Sequence, residues 1–321
     1  MKEFKAEQTL GTNVQVVRFT SDGRYCLTGE RQSIKLWNPF KSLDDSNDAL
    51  LIQTYKLGIT HAVTSIVTTK SSNHEPSWLV AATNKTAVVM DMVTKQVVRK
   101  LQGQLGRVNV VESTDHGQVL LTGSYDGSVY LWDGRAINNH KPVQILHEAK
   151  DSIMDILLDG PTIRTGSIDG TMRSYDMRYG QLTNDAMGGP IVSMAKTKTS
   201  DDGACLAVSC LEDSTIRLVD IGSGELVNTY EGHHKASEFK VEVDVLANDK
   251  CVVTGSEDGS CILYDFVRGT RLQSLSCHDD SNNNTNTRNN PLSSVHAHPT
   301  KSSYLLTATF DGKATLWSND Y

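Results

Sequence analysis

Apolar residues fall along this chain in short runs of four to six positions, and β-branched side chains dominate them. One stretch shows the texture well. Val108-Asn109-Val110-Val111, Gln118 to Thr122, Ser128 to Asp133 and Val143 to Leu146 each read as a strand, with Gly, Asp, Asn and Ser between them. Asp-Gly between two such runs predicts a tight hairpin, because that turn needs positive φ, which Gly and Asp tolerate. No segment sustains an apolar period of 3.6 residues, so the pattern predicts little helix. The expected class is all-β.

The pattern also repeats. Thr122-Gly123-Ser124-Tyr125-Asp126-Gly127 leads to Trp132-Asp133, Thr165-Gly166-Ser167-Ile168-Asp169-Gly170 to Tyr175-Asp176, and Thr254-Gly255-Ser256-Glu257-Asp258-Gly259 to Tyr264-Asp265. Looser copies run from Ser209 to Asp220 and from Thr307 to Trp317. Degenerate copies end at Trp37-Asn38 and Met90-Asp91. The anchors at 37, 90, 132, 175, 219, 264 and 317 are spaced by 53, 42, 43, 44, 45 and 53 residues. Four spacings fall in the ~40–45 residue period of WD-repeat propeller blades. The spacing predicts a seven-bladed WD-repeat β-propeller. Length alone suggests two domains, but seven blades of about 46 residues make residues 1–321 one propeller. Only four residues follow Trp317, too few for a last strand, whereas Glu3 to Leu10 is a spare strand at the other end. Residues 3–10 are therefore expected to complete the blade begun near Leu292 and to close the ring without long free edges.

By similarity to WD-repeat blades, the turn Asp, a Ser or Thr four residues earlier, a loop His and the anchor Trp are expected to form one hydrogen-bonded group. The pairs are Asp126 with Thr122, Asp169 with Thr165, Asp213 with Ser209, Asp258 with Thr254, and Asp311 with Thr307. Gly-His survives once, as Gly232-His233, so the unit of Asp258 is expected to assemble most of the group, with Tyr264 in the Trp place. Ser, His and Asp together invite a hydrolase reading, but their recurrence around the chain marks them as structural. The first unit, Gly29-Glu30-Arg31-Gln32-Ser33, lacks the turn Asp, and the second has Asn84 and Met90 in the Asp and Trp places. Those blades are expected to be held more by packing and neighbours than by the polar group. The rim of the turns displays the residue before each Asp: Tyr125, Ile168, Glu212, Glu257 and Phe310. Arg107, Lys150, Asp151 and Lys235 join them from loops entering first strands. Exposed Tyr, Phe and Arg are types enriched in interface hot spots, so this rim is the candidate partner-binding surface.

Charge and composition narrow the classes. Hydrophobic residues make up 38% and charged residues 21%, an ordinary globular balance. Lys plus Arg number 31 against 38 Asp plus Glu, a net of −7. That disfavours direct nucleic-acid binding, which needs a basic face. No run nears the ~18 apolar residues of a membrane helix, and the first residues do not read as a secretory signal. Cys26, Cys205, Cys210, Cys251, Cys261 and Cys277 show no C-x-x-C spacing. They read as reduced, mostly buried thiols. His296-Ala297-His298 lacks a third metal ligand, Asn84-Lys85-Thr86 and Asn283-Asn284-Thr285 read as unused glycosylation patterns, and no nucleotide or hydrolase motif is present. No catalytic, cofactor or metal residue is expected. Residues 279–290 form a polar, low-complexity insertion, expected as a disordered loop. Residues 40–49 and 70–77 are expected to crowd the other face.

Several phrases exceed the generic repeat. Val17-Arg18-Phe19 with Asp22 to Thr28 and Leu36-Trp37-Asn38-Pro39 resembles the start of the WD-repeat mitogen-activated protein kinase organizer family. So do Lys85 to Val89 with Gln96-Val97-Val98-Arg99-Lys100, Gly166 to Gly170 with Tyr175 to Leu182, and Gly232-His233-His234 with Glu238-Phe239-Lys240. The resemblance is collinear from about residue 14 onward; the asparagine-rich insertion and the second blade depart from it. It implies a non-enzymatic scaffold whose partners are splicing factors or kinase-module components, in cytoplasm and nucleus, monomeric within larger assemblies. A substrate receptor of a ubiquitin ligase is the alternative, and an enzyme using the propeller's central funnel the remotest reading.

Overall fold

The computed structural model describes all residues except 1–2, 12, 43–48, 59–60, 70–76, 115, 137, 200–203, 278–289 and 320–321. The regular elements among the described residues are all strands, in seven four-stranded antiparallel sheets, and the fold is a seven-bladed β-propeller. Six blades are built in chain order. The first runs from Val16–Phe19 to Ala49–Lys56, the second from Ser65–Thr68 to Val97–Gln102, and the third from Val108–Ser113 to Gln144–Leu146. The fourth runs from Ile153–Asp159 to Gln181–Ala186, the fifth from Ile191–Lys196 to Leu226–Tyr230, and the sixth from Val243–Val245 to Arg271–Ser276.

The seventh blade is assembled from both ends of the chain. Leu292–Ala297, Tyr304–Thr309 and Ala314–Ser318 supply three strands, and Lys5–Thr9 supplies the fourth. Lys5 pairs with Ser318 and Ala6 with Trp317, so the expected closing strand is present, trimmed by two residues at its start and one at its end. The four strands predicted between Val108 and Leu146 are all found, with ends shifted by one or two residues. Most of the 279–290 insertion, and most of 40–49 and 70–77, lie outside the described residues.

The chain divides into two compact units. One comprises residues 1–28, 36–53 and 192–321; the other comprises 29–35 and 54–191. Each buries its own apolar clusters. In the first unit, Leu10, Val14, Val17, Phe19 and Trp37 pack with Leu306 and Leu316. In the second, Trp78, Val80, Val111, Leu120, Tyr130 and Trp132 pack together. First strands are largely buried and fourth strands largely exposed: Val108–Ser113 buries five of six positions, Gln181–Ala186 none.

Polar side chains at corresponding places in first strands staple neighbouring blades. Within the second unit, Ser65 Oγ accepts from Val111 N–H at 3.3 Å, and Asn109 Nδ2 donates to Ile153 O at 2.9 Å. Within the first, Ser193 accepts from Val243 N–H, Glu242 from Val295 N–H, and Ser294 from Val17 N–H. Arg18 completes this last cluster with a two-pronged bond to Glu242, at 2.8 and 2.9 Å. Burial raises the Glu242 pKa, but the Arg18 charge and hydrogen bonds, with the Lys240 charge and the Ser294 hydroxyl, together outweigh it and hold the carboxyl at about 2.

Candidate protein-docking surfaces

All five turn aspartates do one thing in common. Each accepts the backbone N–H two residues on: Ser128 to Asp126, Thr171 to Asp169, Thr215 to Asp213, Ser260 to Asp258, and Lys313 to Asp311. This is an Asx turn, with the side chain standing in for a backbone acceptor. The following Gly at 127, 170, 259 and 312 has φ between 76° and 93°, the region the turn requires.

The expected single polar group separates into two. The hydroxyl belongs with the anchor Trp: Trp132 Nε1 donates to Thr122 at 3.1 Å, Trp317 to Thr307 at 2.8 Å, and Trp37 to Thr28 at 2.9 Å. The first blade therefore keeps the Trp bond, although it was expected to be held more by packing and neighbours than by the polar group. Where the anchor is Tyr175 or Val219, no indole reaches the hydroxyl, and Thr165 Oγ1 and Ser209 Oγ are buried without a hydrogen-bond partner. The aspartate instead takes the residue four places on. Tyr130 OH donates to Asp126 at 3.1 Å, Arg173 grips Asp169 with two bonds, and Arg217 binds Asp213. Burial opposes ionisation of Asp169, but the Arg173 bonds and the Lys150 and Thr171 N–H groups hold it at about 2.

The sixth blade corrects two expectations. His233 is exposed, and its neighbour His234 is the buried one, with Nδ1 2.9 Å from Tyr264 OH. Burial lowers the His234 pKa to about 4. Thr254 turns to the backbone oxygens of Glu242 and Gly255. Asp258 is exposed and binds Ser260 of its own turn. In the third blade Gln104 takes the His role by donating to Thr122 at 2.9 Å. Gly103-Gln104, the counterpart of Gly232-His233, was the signal for it.

In the second unit, the rim places Tyr125, Arg107, Lys150 and Asp151 in the open, with Tyr125 67% exposed. The Tyr125 N–H donates to Arg107 O at 2.7 Å, and Leu105 and Gly106 N–H groups donate to Asp126. A Cβ on Gly106 would stand 2.8 Å from Asp126 N and 3.0 Å from Tyr125 Cβ, so only glycine lets this loop lie against the turn. Leu105 is left 81% exposed beside Tyr125. Ser152 Oγ bonds Tyr125 O, and Lys150 N–H bonds Asp169, which ties the next loop to the same place.

In the first unit, Lys235, Glu212 and Phe310 are exposed, but Glu257 is not. At 4% exposure it belongs beneath the rim, a correction to its expected role in partner binding. Its carboxylate accepts the N–H groups of Ser237, Glu238 and Phe239 and the Ser237 hydroxyl, with Lys235 Nζ at 3.4 Å. Burial raises its pKa, and those donors more than reverse that, to about 2. The loop so held presents Phe239 edge-on to Phe310, ring centroids 5.5 Å apart, each ring over 40% exposed. Ser214 Oγ accepts from Ala236 N–H and tethers the turn that carries Glu212, whose φ is 70°. Leu105 and Phe239 escaped the rim prediction, although an apolar residue in a polar inter-blade loop was a readable signal.

The histidines that the sequence offered as metal ligands are engaged elsewhere. His298 has both ring nitrogens engaged: Nε2 lies 2.9 Å from Gly23 O, and Nδ1 accepts from Thr300 and Lys301 N–H. His296 Nδ1 accepts from Phe19 N–H. Among the described residues, no three His, Cys, Asp or Glu side chains are placed to hold a metal ion. The six cysteines are buried thiols outside any disulfide.

Comparison with known proteins agrees with the architecture. The WD domain, G-beta repeat family matches residues 95–133 and 224–265. WD repeat domain-containing protein 83 of Mus musculus is 37% identical over 96% of this chain and 89% of its own length. The Rattus norvegicus protein of that name is 37% identical over 82% of this chain and 78% of its own. The homolog in Dictyostelium discoideum is 29% identical over 95% of this chain and 94% of its own.

Proposed function

The chain belongs to the family of WD repeat domain-containing protein 83, and from that premise we propose that its two rim patches dock the components of one assembly, either a mitogen-activated kinase module or the pre-mRNA splicing machinery, in cytoplasm and nucleus. The repeat family and its relatives support the coarser role, a non-enzymatic scaffold for protein–protein interactions. The observation that carries the docking is the Phe239–Phe310 pair. A buried carboxylate spends four hydrogen bonds on the loop that holds the Phe239 ring in water, against the exposed Phe310 ring of a neighbouring turn. Folding alone would bury such rings, and exposed aromatics on a rigid support are the anchors that interfaces use. Tyr125 with Leu105 and Arg107 offers a comparable patch in the second unit.

Affinity purification of the full chain with mass spectrometry tests the proposal. Kinases and their regulators among the captured proteins, lost on Phe239→Ser with Phe310→Ser, support the signalling assembly; splicing factors lost in the same way support the splicing assembly. Capture unchanged by those substitutions and by Leu105→Ser with Tyr125→Ala would overturn the rim as the docking surface.

A further inference from the structure

The first unit has a second concave surface, at the opposite end of the Leu292–Ala297 strand from Phe310. Two turns and a strand surround it. Asp22, Gly23, Arg24 and Tyr25 come from the first turn of the first blade, and Thr300 and Lys301 from the corresponding turn of the seventh. Asn38, Phe40 and Lys41 come from the strand Ser33–Ser42. The cavity is about 440 Å³, within the ~300–1,000 Å³ range of sites that take ligand-sized groups.

Its floor is built, and its mouth is charged. His298 is 2% exposed and ties the two turns by bonding Gly23 O on one side and the Thr300 and Lys301 N–H groups on the other. Gly23, at φ +69°, leaves room for that ring; a Cβ there would fall 2.3 Å from His298 Cε1. Phe40 stacks edge-on against Tyr304 at 5.0 Å, and the Lys301 ammonium stands 5.0 Å and 5.5 Å from those two rings. Phe40 and Tyr25 remain 37% and 36% exposed. Three cations, Arg24, Lys41 and Lys301, face one carboxylate, Asp22, which already accepts from Thr20 Oγ1 and Arg24 N–H. Among the described residues, no carboxylate is within salt-bridge range of Lys41 or Lys301, while Arg24 has only a 3.9 Å contact with Asp22.

Among the described residues that line the pocket, cations outnumber carboxylates three to one, on a chain of net −7. Exposed aromatic rings bordered by two lysines that no described carboxylate reaches, and by an arginine with one long contact to Asp22, suit a short segment that brings carboxylates to the cations and an apolar side chain to the rings. A nucleic-acid strand fits less well. Its backbone needs a longer basic track, the chain's net charge repels it, and Asp22 sits in the wall.

We propose that this pocket binds an acidic peptide segment of a partner protein, its carboxylates on Arg24, Lys41 and Lys301 and an apolar side chain on Phe40 and Tyr25. The surface is separate from the Phe239–Phe310 patch of the same unit and shares no residue with it. The test is fluorescence anisotropy on the full chain, with a labelled peptide of glutamates around a central phenylalanine. A matching peptide with lysine for glutamate and a single-stranded oligouridylate serve as competing probes. Arg24→Glu with Lys301→Glu should weaken the acidic peptide at least about tenfold and leave the chain folded, with a melting temperature only slightly lowered by the loss of the Lys301 ring contacts. Phe40→Ala should weaken it about tenfold, and added salt should weaken it further. Phe239→Ser with Phe310→Ser should leave the affinity as it was. Absence of binding, equal binding of the lysine peptide, preference for the oligouridylate, indifference to the charge reversal, or loss through the Phe239 and Phe310 changes would each overturn the proposal.

Discussion

The fourth and sixth blades carry nearly the same phrase, Thr-Gly-Ser-x-Asp-Gly, and use it in opposite ways. In the fourth, Asp169 is the supporting group: its side chain is 9% exposed and gripped by Arg173, itself 6% exposed. In the sixth, Asp258 is exposed and closes its own turn, while Glu257, one residue earlier, goes under the rim and holds a loop. Two positions make the difference. The residue before the Asp is Ile168 in one and Glu257 in the other; the residue four after it is Arg173 in one and Ile262 in the other. A turn consensus determines the backbone path. The side chains flanking it determine which carboxylate is buried, and a buried carboxylate needs donors wherever it lies.

The sharpest way to break this comparison is to remove the buried member of each blade. Asp169→Ala leaves the Arg173 guanidinium buried and unpaired, and should lower the unfolding free energy by about 3–5 kcal/mol in chemical denaturation. Adding Arg173→Met should recover most of that loss; no recovery would show that the pair is not the source. Glu257→Ala should cost about 2–3 kcal/mol and accelerate amide hydrogen exchange at 237–239.

Acid should expose the same contrast. Glu257 and Glu242 have folded pKa values near 2 against 4.5 for the free group. The stability each lends is therefore complete above about pH 5 and lost as pH falls from about 4.5 toward 2, at about 2–3 kcal/mol for Glu257. His234, lowered to about 4 from 6.5, stays neutral in the fold and favours folding above its free pKa. That contribution fades as pH falls from about 6.5 to 4. In Glu257→Gln, the acid loss between pH 5 and 2 should shrink measurably in a pH series of denaturation curves.

Smaller effects separate the remaining members. Asp258→Ala should stay within about 1 kcal/mol of the parent, a fraction of the Asp169 effect. A pair of hydroxyl deletions sharpens the point further. Thr122→Val removes the acceptor of both Trp132 and Gln104 and should cost about 1–3 kcal/mol, whereas Thr165→Val removes a hydroxyl that has no partner and should be neutral or stabilising by up to about 1 kcal/mol.

Much of the fold was readable from residues alone. The blade count, the anchor positions and the closing strand near residues 3–10 were legible because each rests on local alternation, turn chemistry and period. Resemblance to WD-repeat blades gave the Trp132–Thr122 and Trp317–Thr307 bonds as well, but not the Trp37–Thr28 bond of the first blade, which lacks the turn Asp. The site was less legible. The rim positions of Tyr125, Arg107 and Phe310 were found, but Leu105, Phe239 and the pocket around Phe40 and Lys301 were not. Their exposure depends on loops from different parts of the chain meeting: Phe239 meets Phe310 from 71 positions away, and Lys301 meets Phe40 from 261.

By itself, then, the order of residues determined how many sheets form, where each turns, and that Asp-Gly closes the hairpins. These are short-range matters of φ, ψ and alternating burial. Only the tertiary structure decided that Asp169 faces Arg173 and a loop N–H from Lys150, that Glu257 rather than Asp258 holds the rim of the sixth blade, and that His234 rather than His233 turns inward. Burial makes those choices. Once packing removes water from a polar group, whichever donor the neighbouring loop brings within 3 Å becomes its partner, and residue type alone does not say which loop that is.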